Sequence, residues 1–246
     1  LWKFYVYNDF LSLCNAISDA GPLWIKLAQW LSVRYDILPP LLCNHLKTLQ
    51  NNIKYHSSEY SIQTIEHDFG KPLKSIFQSF NKDPLDSGSI AQVHEAILLN
   101  GKKVVVKIIH PDVKLQLELD QQILVFINYW SPIDLIPIMK QIQKQTDLRT
   151  ESRNLKILRT NFKKVQHIYF PKVICASSQV LIQEKMQGLT ETTFIKKYPD
   201  KKDELQLLKL VAFYKMVCRD KFVHGDMHPG NILAWVDRSK KVNMSL

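Results

Sequence analysis

Residues 223–233 read VHGDMHPGNIL, and between apolar flanks they gather His224, Asp226, His228 and Asn231. A loop clamped at both ends by apolar segments can present such groups rigidly to a ligand, whereas a plain surface turn would leave them solvated. Asp226 precedes Asn231 by five positions. Phosphoryl transfer needs a carboxylate near the acceptor hydroxyl and oxygen ligands that hold magnesium on the phosphates, and H-R-D-x-x-x-x-N supplies both at that spacing. In this chemistry Asp226 orients or accepts the substrate proton, Asn231 holds a metal ion, and His224 braces the loop backbone.

The same chemistry needs a cation on the nucleotide phosphates and an acid on a helix to position it. The run VVVK places Lys107 on the second strand of an expected hairpin, the context of the V-A-I-K lysine. Taken alone, a strand lysine is more often a solvated face residue. On the helix that follows, Asp147 and Glu151 are four residues apart and are expected to share one side. Glu151 is the expected partner of Lys107, with Asp147 left for a second lysine or a metal. DSGS, residues 86–89, stands at the entrance to the first hairpin strand, where kinases carry a glycine-rich flap over the phosphates. With Gly88 as its one glycine, phosphate contacts would come from backbone amides and from Ser87 or Ser89. An ordinary turn is the alternative.

These groups need a scaffold, and the pattern along the chain suggests one. GPLWIKLAQWLSVRYDIL opens at Gly21-Pro22 as a helix and closes at Pro39-Pro40. A second helix is expected over about 41–50, and a third within SIQTIEHDFG, stopped by Gly70. SIAQVHEAILL and KKVVVKII are β-rich and separated by Asn100-Gly101, which predicts antiparallel strands over roughly 89–99 and 102–109. A helical region follows over about 112–164, with interruptions at Ser131-Pro132 and near Pro137. VLIQEKM returns to strand, Gly188 breaks it, KDELQLLKLVAFYKMVCRDK is a helix, and NILAWV is a strand ending in a turn at 237–240. The order is that of an α+β, two-lobed, protein-kinase-like fold: a helical extension over 1–80, an N-lobe with a helical insert over 81–187, and part of a C-lobe over 188–246.

Bulk properties agree with a folded chain. The 246 residues are 46% hydrophobic and 23% charged, enough for a sizeable core and unlike a disordered segment. The four cysteines include no C-x-x-C pair, which argues against a zinc knuckle or a disulfide framework and for buried free thiols. The apolar run at 123–133 is too short for a span of roughly 20 residues. A net charge of +10, spread along the chain, favours anionic partners such as phosphate ligands or acidic lipid surfaces. Nucleic acid is not expected, since no motif for it is present. The first residue is Leu1, so a lost start, and with it a lost targeting segment, is expected.

GPLWIKLAQWLSVRYDILPP, GSIAQVHEA, VVVK, DLRTESRN and HGDMHPGNIL, in that order over about residues 21–233, resemble the UbiB/ADCK (AarF) family of atypical protein-kinase-like proteins, and most closely its mitochondrial branch. The resemblance implies a magnesium-dependent ATP or ADP site and a role around coenzyme Q or mitochondrial membrane lipids. It also implies that the family's K-x-G-Q motif, here Lys26-Leu27-Ala28-Gln29, points Lys26 and Gln29 from a helix toward the nucleotide and restricts protein substrates. The family's E-x-D element, which receives that lysine, reads Gln145-Thr146-Asp147, leaving Asp147 as the charged partner. No D-F-G element follows Asn231, which points to a fragment or a degenerate site. Two rival readings remain at this stage: a small-molecule phosphotransferase of the aminoglycoside or choline kinase kind, and a catalytically dead nucleotide- or lipid-binding scaffold.

Overall fold

Alternation along residues 103–109 organises the central layer. The computed structural model describes residues 9–50, 55–131, 134–225, 227 and 230–246. Its larger sheet has the strand order β1 (Phe77–Phe80), β3 (Ala91–Leu98), β4 (Lys103–Ile109), β7 (Val180–Glu184), β6 (Val173–Ala176), with the short β2 (Asp86–Ser87) also on β3. The β3–β4 hairpin turns at Asn100-Gly101 as expected, and Gly101 takes a φ of 79° there. Val104, Val106 and Ile108 are fully buried on one face with Ile65, Val180 and Ile182. Ile65 belongs to α4 (Ser58–Phe69), which starts where the Ser57 side chain accepts from Tyr60 N and ends at left-handed Gly70. Helix α4 and β1, numbered within the expected extension, thus pack on and pair with this sheet.

Three helices precede it: α1 (Phe10–Ala20), α2 (Pro22–Leu31) and α3 (Pro40–Lys47). Cys14, Ala28, Leu46 and Leu49 form their shared core. Helix α2 stops at Leu31 rather than running to Leu38. The buried Ser32 hydroxyl donates to Gln29 O at 2.7 Å, a local bond that competes with further helical turns.

After β4 come α5 (Val113–Trp130), α6 (Ile136–Lys144) and α7 (Leu148–Asn161). Pro137 does not interrupt this region. It lies in the first turn of α6, where its missing N–H costs no hydrogen bond. The break falls instead at Asp147, whose side chain accepts from Arg149 N and caps α7. Leu23 and Leu27 of α2 share a core with Leu117, Leu124, Met139 and Ile142 of α5 and α6, and that core continues into Ile90, Ala91, Leu148 and Leu181 beside the sheet.

The second sheet has the order β5 (Ile168–Tyr169), β10 (Val242–Ser245), β9 (Leu233–Val236), β8 (Leu189–Thr190), with β5 parallel to β10 and the other pairs antiparallel. It packs with α8 (Glu191–Lys197) and α9 (Lys202–Tyr214). Asp237 closes the β9–β10 turn by accepting from Ser239 N, Lys241 N and Asn243 Nδ2. Cys14 and Cys43 are buried as expected, but Cys218 is exposed, because Met216 takes the inward position in its turn. Among the described residues no helix is long and apolar enough to cross a membrane.

Gly188 ties the two sheets' connection to β9. Its φ is 124°, and a Cβ there would lie 2.9 Å from Ala234 O and 3.0 Å from Ala234 N. Both atoms are backbone, so the strand itself would have to move. Gly188→Ala should therefore destabilise the fold by roughly 2–4 kcal/mol, combining the backbone penalty with overpacking. A urea denaturation midpoint unchanged from wild type would contradict this.

Candidate functional site

The face of β4 opposite the α4 core carries Lys107. Its register neighbours are Val93 on β3 and Leu181 on β7. Helix α7 packs over this face through Leu148, Ser152, Leu155 and Leu158, and Glu151 lies between Leu148 and Leu155 on the same side. Lys107 Nζ donates to Glu151 Oε2 at 2.7 Å. Both side chains keep about a third of their surface exposed, at 33% and 37%. The pair is fixed in place yet open to a ligand.

The DSGS segment forms a tight entry to β3. Asp86 and Ser87 pair with Val93 and Gln92, and Gly88 N donates to Ala91 O at 2.9 Å. Gly88 is exposed, whereas Ser89 is 7% exposed and its Oγ has no hydrogen-bond partner among the described residues. A buried hydroxyl without a partner costs free energy. A polar group reaching this turn would supply what the protein does not.

The loop over residues 223–233 is anchored from behind. Helix α9 passes into a π turn over Lys215–Arg219, with Asp220 N donating to Lys215 O and Phe222 N to Met216 O. Lys215 Nζ and Asp220 Oδ2 form a mostly buried pair at 2.6 Å, and His224 N donates to Met216 Sδ at 3.4 Å. On the far side Ile232 and Ala234 are fully buried, and Ile232 O accepts from Glu191 N. Asn231 stands exposed at the loop exit, one residue before Ile232. The Gly225 backbone passes beside α6: a Cβ there would lie 3.8 Å from Gln141 Nε2. Asp226, together with His228 and Pro229, lies outside the described residues.

Two expectations at Asp147 are corrected. As the cap residue it is outside the α7 helix, so it does not share a face with Glu151. Its carboxylate is engaged by Arg149, with Nε and Nη2 at 2.7–3.1 Å, and that guanidinium holds the acid below the usual carboxylate range. In this structure Asp147 is therefore the partner of Arg149 rather than of Lys26 or Lys107. Lys26 and Gln29 lie on α2 and are half-buried. Among the described residues no group of three or more His, Cys, Asp or Glu is disposed to hold a metal.

The sequence reading missed a cluster directly behind the turn. His110 Nε2 lies 2.9 Å from Gly88 O and 3.2 Å from Ser87 Oγ. His110 Nδ1 meets His56 Nδ1 at 2.6 Å, and beyond it stand Ser61, His94 and Gln92, each fully buried. Its only sequence signal was His110 at the end of β4 and Gln92 and His94 alternating on β3.

Comparison with known proteins agrees with this architecture. The family model of the ABC1 atypical kinase-like domain matches residues 48–244. The probable serine/threonine-protein kinase abkC of Dictyostelium discoideum is 35% identical over 236 residues, covering 90% of this chain and 34% of that protein. The probable protein kinase UbiB of Sodalis glossinidius is 33% identical over 234 residues, covering 88% of this chain and 43% of that protein. The chain thus spans less than half the length of these curated relatives. Among solved structures, the Rv3197–erythromycin complex from Mycobacterium tuberculosis aligns with a TM-score of 0.61 at 23% identity, over 77% of this chain and 51% of that one, a likeness of fold. With four-fifths of its length inside the family model, the α+β chain belongs to the ABC1 atypical kinase-like family.

Proposed function

We propose that this chain binds a magnesium nucleotide, ATP or ADP, against the Lys107 face of β4, as part of an atypical kinase or ATPase. The observation that carries the reading is the Lys107–Glu151 pair at 2.7 Å, with about a third of each side chain open to solvent. Lys107 would contact phosphate oxygens with Glu151 fixing its direction, and Ser87, Gly88 and Ser89 would line the phosphates. Asn231 offers an oxygen of the kind magnesium accepts, and the metal supplies charge neutralisation on the phosphates when bound. The role of Asp226 as the group that orients or accepts the acceptor's proton rests on its spacing from Asn231. Lys26 and Gln29 would approach from α2. The link to coenzyme Q or mitochondrial lipid metabolism, and a mitochondrial location, belong to the same reading through the family resemblance.

Helix α5 buries Val113, Leu117 and Leu124 on one face, while Leu115, Leu119, Ile123, Phe126 and Trp130 form a continuous stripe on another, each more than half exposed. With a net charge of +10, this stripe suits an anionic lipid surface. Wild type should co-sediment with phosphatidylglycerol vesicles more than with phosphatidylcholine vesicles, and the Phe126→Asp/Trp130→Asp double variant should not. Equal sedimentation of the two proteins would remove the stripe from the account.

Calorimetric titration with Mg–ATP tests the site. Lys107→Ala should weaken binding roughly tenfold or more, the cost of a lost charge-assisted hydrogen bond, and change the stability of the free protein by less than about 1 kcal/mol, as for a partly exposed ion pair. Unaltered affinity would overturn the assignment. Ser89→Ala should act with opposite signs on the two states. It should stabilise the free protein by about 1 kcal/mol, because an unpaired buried hydroxyl is removed, and weaken Mg–ATP binding roughly three- to tenfold. Loss of stability in that variant would show that the hydroxyl serves the fold.

A further inference from the structure

The cluster behind the turn is a closed chain of hydrogen bonds with a carbonyl at each end. From one end, His94 Nδ1 meets Asn81 O at 2.9 Å, His94 Nε2 meets Ser61 Oγ at 3.0 Å, and Ser61 Oγ meets His56 Nε2 at 2.8 Å. His56 Nδ1 then meets His110 Nδ1 at 2.6 Å, and His110 Nε2 meets Gly88 O at 2.9 Å. Gln92 locks the middle: its Oε1 accepts from His56 N at 3.0 Å, and its Nε2 donates to His56 O at 3.2 Å and to His94 Nε2 at 2.9 Å.

Carbonyl oxygens only accept, so both ends demand a proton from the ring that faces them. His94 is therefore protonated on Nδ1 and His110 on Nε2. Three neutral rings and one hydroxyl hold one proton each, four protons for the five contacts of the chain. A bare nitrogen cannot face a bare nitrogen across the His56–His110 contact, so His56 carries its proton on Nδ1 and accepts from Ser61 on Nε2. The contact left without a proton is Ser61 to His94, and there Gln92 already serves His94 Nε2. This neutral arrangement satisfies every ring and both end carbonyls; the reverse one, with the Ser87 hydroxyl donating to His110 Nε2 at 3.2 Å, would leave the Gly88 carbonyl facing a bare nitrogen at 2.9 Å.

We propose that His110 is a positioning residue for the turn Asp86–Ser89, and that His56, set by Ser61 and Gln92, fixes the tautomer with which His110 holds Gly88 O. The functional consequence rests on the nucleotide reading of that turn. Because a peptide unit is planar and trans, a Gly88 carbonyl held toward His110 turns the Ser89 N–H to the opposite side. The relay thereby sets the direction of the amide beside the unpartnered Ser89 hydroxyl. Burial lowers the pKa of all three rings, that of His56 to about 4, which keeps the relay neutral near pH 7. The other ionisable groups facing it are Asp83 beside His94 and Tyr60, edge-on to His56, with Asp68 and Asp112 around Tyr60. A histidine whose folded pKa is depressed contributes stability that is whole above its unfolded pKa near 6.5 and falls away as pH drops toward the folded value.

The test uses the full ¹⁵N-labelled chain and Mg–ADP as the probe. In the free protein, ring nitrogen shifts should show His110 protonated on Nε2 and His56 on Nδ1. His56→Asn keeps a donor where Nδ1 stood. It should preserve the His110 tautomer, the Gly88 and Ser89 amide positions and the Mg–ADP affinity, while losing the His56 part of the fall in stability between about pH 6.5 and 4. His56→Ala should let His110 exchange tautomers, shift both amides and weaken Mg–ADP binding three- to tenfold, the cost of one neutral hydrogen bond. If His56→Ala fails to fold, His110→Gln, which keeps a donor near Nε2, should bind as wild type does. His110 protonated on Nδ1 in the wild type, or His56→Asn behaving like His56→Ala, would overturn the relay. If wild type binds no Mg–ADP, the nucleotide reading fails, and the ring and amide shifts still decide the relay by themselves.

Discussion

Lys107 can meet Glu151 only while β4 keeps its register between β3 and β7. The strand has a period of two, so the residues that bury Val104, Val106 and Ile108 against α4 also force Lys107 onto the opposite face. A slip of one residue would bury the lysine and expose the valines. The apolar core under α4 is thus what aims the one cation that the proposed chemistry needs. The hairpin turn at Asn100-Gly101 and the pairing of Val180 and Leu181 with Ile108 and Lys107 hold that register from both sides.

The remaining site groups are held in the same indirect way. Glu151 is placed by three leucines and a serine that fasten α7 to the sheet, and by the Asp147 cap that starts the helix at the right residue. Asn231 is placed by the buried Ile232 and by a strand that Gly188 allows to approach closely. The turn at Gly88 is held by His110, itself held through His56 by a buried serine and glutamine. In each case the exposed group takes its direction from a buried neighbour.

Some of this was legible from residue types alone. The Asn100-Gly101 hairpin and the Gly70 stop follow from local rules of turn chemistry and capping, and the meeting of Lys107 with Glu151 from what phosphoryl-transfer chemistry asks of a strand lysine and a helix acid. Other features depend on partners distant in sequence. A periodicity argument put Asp147 on the Glu151 face, but its short side chain does better bonding its own helix start and Arg149. The short strands β5 and β8 have too few residues to show a pattern and exist because β10 and β9 pair with them. The histidine relay joins residues 56, 61, 81, 88, 92, 94 and 110, and no spacing announces it. The early stop of α2 turned on one serine hydroxyl.

The central claim is that Lys107, fixed by β4 register and by Glu151, faces the nucleotide phosphates. An acyl-phosphate derivative of ATP tests it most directly, because a lysine amine close to the phosphates attacks the acyl carbonyl and expels ATP, leaving a permanent tag. Mass spectrometry after brief labelling should find Lys107 as the dominant tagged lysine, with labelling suppressed by excess Mg–ATP and by unfolding. Tags spread over the chain's many lysines, or tagging of Lys107 that excess Mg–ATP leaves unchanged, would contradict the account.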